Sequence, residues 1–462
     1  MRQLFLILVA TISFLFSQAQ TNIQVFYRVP FFGGYGAYVN SPAPPAGIIR
    51  HRNDLNARKL TDAEIADIGS KLSMRVSILA ACDNYDRIGN VNLALVPKDS
   101  TRYVPAQVAR IELGRYITPF MDKNKSPNTV EYNYQIDHVA QLLKDSTLNA
   151  LYNFWIELEL FGVESAAQQQ VAGCAGRKDV FYGTLEFFSE DTLAIQNNTV
   201  LIPMSMKKNL NNYQASATDT VGKTIRTLSF HVDDSLSDAA FFLITSNHGA
   251  NSGGEEYNRR NHFVYFNDTL KLTYKPGRTS CEPFRVYNTQ ANGIYGTTPR
   301  SDAQWQSFSN WCPGDVIDTR RIDLGSLDTG MHQFRIEVPD ARFVNREGYI
   351  PLSVYLLGKT SGMIDIPADT TNPIDTSIVP GPVDPMPNQA LVYPNPASQF
   401  VHVRQTGNFS VCVYHAQGGL IFRKENLQNN YTMNVSGYSP GIYLIKVIHG
   451  SHEMTKRLVI AR

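Results

Sequence analysis

The feature that most constrains this chain is alternation. From Lys71 onward, one stretch after another places apolar side chains at every second position. "KLSMRVSILA" puts Leu72, Met74, Val76 and Ile78 on one face of an extended segment. Successive side chains of a strand point to opposite sides, so this period marks a half-buried strand. "VNLALVPKD", "YVPAQVARIELGRYITPF", "LYNFWIELELFG" and "DVFYGTLEFF" read the same way. So do "NTVLIPMSM", "TIRTLSFHVD", "AAFFLITSN", "NHFVYFNDTLKLTYK", "HQFRIEVPD" and "GYIPLSVYLLGK". Almost no segment sustains a helical period, although "LTDAEIADIG" (60–69) allows a turn or two of helix. Such strands, separated by turn residues, predict an all-β fold of two antiparallel jelly-roll sandwiches packed side by side.

At 462 residues the chain exceeds what one hydrophobic core accommodates. Residues 20–70 read as an irregular N-terminal segment, 71–190 as the first jelly roll and 191–360 as the second, with "SEDTLAIQNN" breaking the pattern between them. Residues 361–390 are rich in Pro, Asp and Thr and read as an extended linker. Alternation resumes in 391–462, a small β-sandwich of its own.

With Lys+Arg at 42 and Asp+Glu at 41, nothing draws the chain to nucleic acid or to an anionic membrane. "MRQLFLILVATISFLFSQAQ" has a basic Arg2, an apolar run and small residues at Ser17 and Ala19, so residues 1–19 are expected to be a signal peptide. No later segment is long enough to span a bilayer. An exported chain keeps disulfides. Cys82, Cys174, Cys281 and Cys312 fall two by two into the two halves, which pairs Cys82 with Cys174 and Cys281 with Cys312 and leaves Cys412 reduced. There is no C-x-x-C, H-x-H or H-x-x-x-H, so neither a metal nor another cofactor is expected. A monomer is the expectation.

The tail carries "YPNPASQFVHV", then "GIYLIKV", then the basic finish "TKRLVIAR". That order resembles the C-terminal sorting domain of the type IX secretion system of Bacteroidetes. The resemblance implies a secreted or cell-surface protein and makes the export machinery a partner.

Three stretches gather the side chains that do chemistry. "CDNYDR" crowds Asp83, Tyr85, Asp86 and Arg87 beside Cys82; the plain alternative is a stapled surface loop. "NFWIELELFG" places Glu157 and Glu159 on one strand face near Trp155, either a solvated edge or part of a site. "NHGANSGGEEYNRRNH" has His248, a glycine turn at Gly253 and Gly254, then Glu255, Glu256, Arg259 and Arg260. With "LGRYITPF" and "SNWCPGDVI" in the same order, these stretches resemble the peptide-N-glycosidase F family over about residues 70–358.

That resemblance implies cleavage of the amide between asparagine and the innermost N-acetylglucosamine of an N-linked glycoprotein or glycopeptide. It assigns Asp86 as the principal catalytic aspartate, Glu157 as its supporting glutamate and Glu255 as the glutamate from the second half, a one-residue slip making it Glu256. Arg87, Tyr85, Asp83, Trp155, Glu159, His248, Glu256, Arg259 and Trp311 are its expected substrate contacts. Tyr85 stands where the family can carry Trp, and Glu159 stands where the best-known member has an aromatic. The chemistry agrees, because water attack on an unactivated amide needs carboxylates whose pKa values are pushed apart. The alternatives are a silent glycan-binding protein on the same fold and a glycoside hydrolase using the same acids.

Overall fold

The computed structural model describes residues 20–210, 222–249, 254–290, 294–343 and 348–360 of the main body. In the tail it describes 391–393, 397, 400–415, 419–439, 441–450 and 452–460. The expected signal peptide (1–19), linker (361–390) and Gly253 lie outside the described residues.

The first half supplies β1 (Thr21–Phe32), β2 (Ile48–Arg52), β3 (Leu55–Lys59), β4 (Lys71–Ala80) and β5 (Ile88–Pro97). It continues with β6 (Ala109–Ile117), β7 (Thr129–Gln135), β8 (Tyr152–Leu160) and β9 (Asp179–Glu190). The second half supplies β10 (Thr199–Asn209), β11 (Ile225–Val232), β12 (Leu236–Thr245), β13 (His262–Phe266) and β14 (Thr269–Tyr274). Then come β15 (Val316–Ile317), β16 (Arg320–Leu327), β17 (Gly330–Glu337) and β18 (Pro351–Thr360).

The sheets run β1-β9-β4-β7 and β15-β6-β5-β8-β3-β2 in the first sandwich, and β10-β18-β12-β16 and β11-β17-β13-β14 in the second. Set aside the short β2 and β15, and each sandwich has eight strands. Renumbered within its own sandwich, one sheet reads 1-8-3-6 and the other 2-7-4-5 in both cases. That is the jelly-roll order, reached twice. The tail forms a separate antiparallel sheet from β19 (Leu391–Tyr393), β20 (Phe400–His415), β21 (Leu420–Asn434), β22 (Gly441–His449) and β23 (His452–Ile460). Among the described residues no helix is long and apolar enough to cross a membrane.

Residues 20–70 are not a separate segment, contrary to the sequence reading. β1 pairs with β9 and β3 with β8, so the first roll lacks two strands without them. Alternation is hidden in β1 because its register shifts three times, between Gln24 and Phe26, Phe26 and Val29, and Phe31 and Phe32. "NHFVYFNDTLKLTYK", read as one strand, is the hairpin β13–β14. Its turn residues Asn267 and Asp268 have φ of 45° and 60°, the left-handed region that these two residue types tolerate and that tight hairpins require. "YVPAQVARIELGRYITPF" begins with a short 3-10 turn at Pro105–Gln107, and only Ala109–Ile117 is strand.

The two rolls are joined through one sheet. Along β12, Phe241 and Leu243 enter the second roll's core. Ala240 and Phe242, pointing the other way, join the core cluster of the first roll, as do Leu201, Tyr355 and Leu357. The sheet β10-β18-β12-β16 is therefore covered on both faces. At this seam the fully buried Arg115 pairs with Glu112 and donates to Ser246 Oγ (2.8 Å) and Pro351 O (2.9 Å), both from the second roll. β15 crosses the seam outright, pairing Val316 with Tyr116 and Ile317 with Arg115.

Candidate active site

The first half of the site is the loop after β4. Cys82 is bonded to Cys174, with Cα atoms 5.5 Å apart, so the loop starts from a fixed point. Asp83 is buried and organises the rest of the loop. Its carboxylate accepts from Arg87 Nε (2.6 Å), Val163 N (2.7 Å) and Tyr85 N (3.0 Å). Thr118, inside "RYITPF", holds the other side: its Oγ1 accepts from Arg87 N (2.7 Å) and donates to Tyr85 O (3.2 Å). Two of the motifs that carried the resemblance are thus one unit.

Asp86 sits between these clamps, half-buried, and its carboxylate takes a hydrogen bond only from its own backbone among the described residues. Burial first, and the Glu256 carboxylate second, push its pKa from 3.8 up to about 7; Arg87 works in the opposite direction.

The second half is the loop at Gly254–Arg260. Its two glutamates face different surroundings. Glu255 is fully buried, pairs with Arg260 (3.1 Å) and accepts from Arg342 N (2.8 Å). Glu256 accepts from Gly249 N (3.0 Å) and bonds the hydroxyl of Tyr257, and it is the strongest charged neighbour of Asp86. Burial raises the pKa of Glu256. Tyr257 also feels both carboxylates, which together with burial push its phenol well up. Tyr257 escaped the sequence reading; its place directly after the paired glutamates was the available signal.

Asn310, from "SNWCPG", fixes this loop. Its Nδ2 donates to Glu255 O (2.7 Å), Glu256 O (2.8 Å) and Asn258 O (3.0 Å). Trp311 Nε1 reaches Asn247 O (2.9 Å), and Cys312 is bonded to Cys281. The expected pairing of all four cysteines is present, and Cys412 is free and buried.

Asp86, Glu157 and Glu255, expected together, occupy three separate hydrogen-bond networks. Glu157 lies opposite Asn92, four residues beyond Ile88 and so about 13 Å down β5 at ~3.3 Å per residue. It is saturated there by Arg110 (2.6 Å), Tyr103 OH (2.8 Å) and Asn92 (3.0 Å). Glu159 lies two residues nearer the Asp86 end, opposite Asn90, and pairs across the seam with Lys207 Nζ (2.5 Å) and with Arg52 (2.7 Å). These cations hold its carboxyl down at about 2 despite burial.

Several other expected contacts are packing residues. Trp155 packs with Ala57, Ala94 and Val96, and Trp311 with Ile117, Ile244 and Ile317; both are buried, so neither ring is an open platform. His248 is buried between Tyr349 and Trp311, bonds Ser246 Oγ (2.8 Å) and is held neutral by burial, its pKa lowered to about 3. Arg259 is spent on the carbonyls of Pro276, Gly277 and Gln306.

Residues 22–174 match the N-terminal domain of peptide-N-glycosidase F, and residues 212–357 match its C-terminal domain. The chain belongs to the peptide-N-glycosidase F family. This is a family of amide-cleaving hydrolases. The first match opens beside β1, in accord with the strands of residues 20–70. Residues 391–461 match the secretion-system C-terminal sorting domain, so the protein is secreted or held at the cell surface, with the type IX machinery as a partner.

Among solved structures, PNGF-II shares the fold. Its P21 crystal form gives a TM-score of 0.54 at 19% identity, over 74% of this chain and 66% of that one. Its C2 form gives 0.52 at 18%, over 74% and 65%. The chain thus spans just under two thirds of PNGF-II. PNGase F of Flavobacterium meningosepticum, described as a glycosylasparaginase, gives 0.47 at 14% identity, over 74% of this chain and 97% of that one. No curated protein matches the sequence.

Proposed function

We propose that this protein hydrolyses the amide joining asparagine to the innermost N-acetylglucosamine of N-linked glycoproteins or glycopeptides. The observation that carries this reading is the meeting of Asp86 from one roll with Glu256 and Tyr257 from the other. Asp86 is an aspartate whose pKa stands at about 7, unclaimed by neighbouring side chains and partly open. A base poised near neutrality is what water activation needs.

Asp86 takes a proton from water as its oxygen attacks the amide carbon. The tetrahedral intermediate collapses with cleavage of the carbon–nitrogen bond, and Asp86 returns the proton to the leaving nitrogen. Asparagine becomes aspartate and the glycan leaves whole, as the glycosylamine. Glu256 keeps the Asp86 pKa high and presents a carboxylate to the sugar or amide N–H, with Tyr257 holding its orientation. Arg87 limits the rise, so that Asp86 is ionised in slightly alkaline solution. Glu255, Asn310 and the Cys281–Cys312 bridge serve as scaffold for Glu256.

Incubation with a denatured N-glycoprotein, followed by mass analysis of both products, tests the reading. Peptide carrying aspartate and a glycan with its complete chitobiose core support it. Sugar left on the asparagine would mean a glycosidase, and no release would mean a binding protein.

A further inference from the structure

Tyr35 is 83% exposed, the most exposed large aromatic among the described residues, yet the loop that carries it is firmly built. Asn53, itself buried, donates to Gly33 O (2.9 Å) and Ala37 O (3.0 Å) and accepts from Val39 N (2.9 Å). Gly34 N donates to Gly162 O (2.8 Å), and Gly36 N to Gly33 O (3.2 Å). A Cβ on Gly34 would lie 2.7 Å from the Phe161 ring, so the loop hugs that ring and only glycine fits. Ordering a tyrosine in solvent contributes nothing to a core; it reads as a contact surface.

The surface is continuous with the site. Tyr35 meets Phe161 edge-on at 5.1 Å. Arg87 lies over Phe161 at 6.0 Å and over Tyr85 at 5.6 Å, and Tyr85 meets Phe120 at 5.7 Å. Asp86 lies between Tyr85 and Arg87 in the chain, and the Arg87 charge acts on its carboxylate. Polar groups edge the rings: Glu164 beside Gly33, and Gln170 Nε2 at 3.4 Å from Tyr85 OH.

We propose that Tyr35 and Phe161 form a subsite for the second or third sugar of the glycan, leading away from Asp86. This rests on the amidase reading above. A pyranose has an apolar C–H face and a rim of hydroxyls, which suits the exposed Tyr35 ring set against the half-buried Phe161, bordered by a cation and a carboxylate. A polypeptide would instead seek free backbone groups. Of those in this loop, Gly33 N and O, Gly34 N, Gly36 N, Ala37 O and Val39 N are already used within the fold.

The test is steady-state kinetics of Tyr35→Ala and Tyr35→Phe on a glycopeptide with its full glycan and on the same peptide trimmed to one N-acetylglucosamine. Tyr35→Ala should raise KM about 3- to 10-fold on the full glycan, the worth of one aromatic contact, with kcat unchanged. Tyr35→Phe should behave as wild type, and the trimmed substrate should not distinguish the three proteins. An equal rise on the trimmed substrate would place the polypeptide on the strip, and no rise on either would remove Tyr35 from binding; both overturn the proposal. If wild type releases no glycan, the amidase reading fails by itself. Titration of free high-mannose glycan then decides the subsite: weaker binding by Tyr35→Ala supports it, and equal binding or none overturns it.

Discussion

Asp86 and Glu256 lie 170 positions apart in sequence and on different jelly rolls, yet the charge of Glu256 is the strongest acting on Asp86. The pair straddles a seam stiffened by Arg115 and Glu112, by β15 and by side chains of β12 sunk into the neighbouring core. Their spacing is therefore set by the packing of whole domains. The consequences can be measured.

Asp86→Asn removes the proposed base. Glycan release should fall by about 10²- to 10⁴-fold, the usual contribution of a positioned general base. The same change should stabilise the fold in a defined pH window. The folded pKa of about 7 lies above the unfolded value near 3.8, so ionisation disfavours the native state. That penalty grows as pH rises from about 4 to about 7 and is constant above. Thermal melts at pH 4 and pH 8 should show the variant's advantage only at the higher pH.

The pH–rate profile of kcat/KM should have an acidic limb with a midpoint at about 7. Glu256→Gln removes a negative neighbour and should move that midpoint to lower pH while reducing the rate. An unmoved midpoint would separate Glu256 from Asp86.

Glu255→Gln should act on stability instead. It breaks the ion pair with Arg260, which is itself partly exposed; burial, which raises the Glu255 pKa, offsets part of that loss, so the cost should be about 1–2 kcal/mol, read from denaturant unfolding. Its pH–rate midpoint should match wild type. The two neighbouring glutamates are thereby told apart by two instruments.

Asn310→Ala should lower kcat and shift the acidic limb toward ordinary carboxylate values. Three loop carbonyls lose their donor, and Glu256 loses its fixed distance to Asp86. The cost in stability should be about 1–3 kcal/mol for buried acceptors left unpaired. Loss of stability with an unchanged pH profile would make Asn310 a packing residue only.

Glu159→Gln should sensitise the protein to pH in the other direction. Cations hold the folded carboxyl at about 2, below its ordinary 4.5, so its ion pairs stabilise the fold above about pH 4.5 and are lost as pH falls through 2. The variant should be less stable than wild type at neutral pH, by about 3 kcal/mol, and equal to it in strong acid.

Much of this architecture was legible because alternation is a local signal. β4, β9, β12 and β18 announce themselves, and the tail declares its address through short motifs. β1 did not, because bulges shift its register three times, and β2 and β3, at five residues each, are too short for periodicity to speak. At the site, the sequence singled out Asp86 and the paired glutamates. It did not separate Glu255 from Glu256, since their difference lies in Arg260, Arg342 and Gly249, which the fold brings to them. Glu157 shares its face of β8 with Glu159, but the register against β5 sets how far each lies from Asp86, and register is a long-range fact. The tryptophans drew attention for their chemistry and turned out to fill space.

The two residues of β15 carry a consequence for anyone dividing this molecule. Val316 and Ile317, encoded far downstream, finish a sheet by pairing with Tyr116 and Arg115 of β6, a strand that lies far from them in the chain. A fragment ending after β9 would present the flank of β6 naked, ready to recruit a stranger's backbone. The cut between the rolls looks tidy along the sequence, but it parts a garment sewn with a thread from the other half.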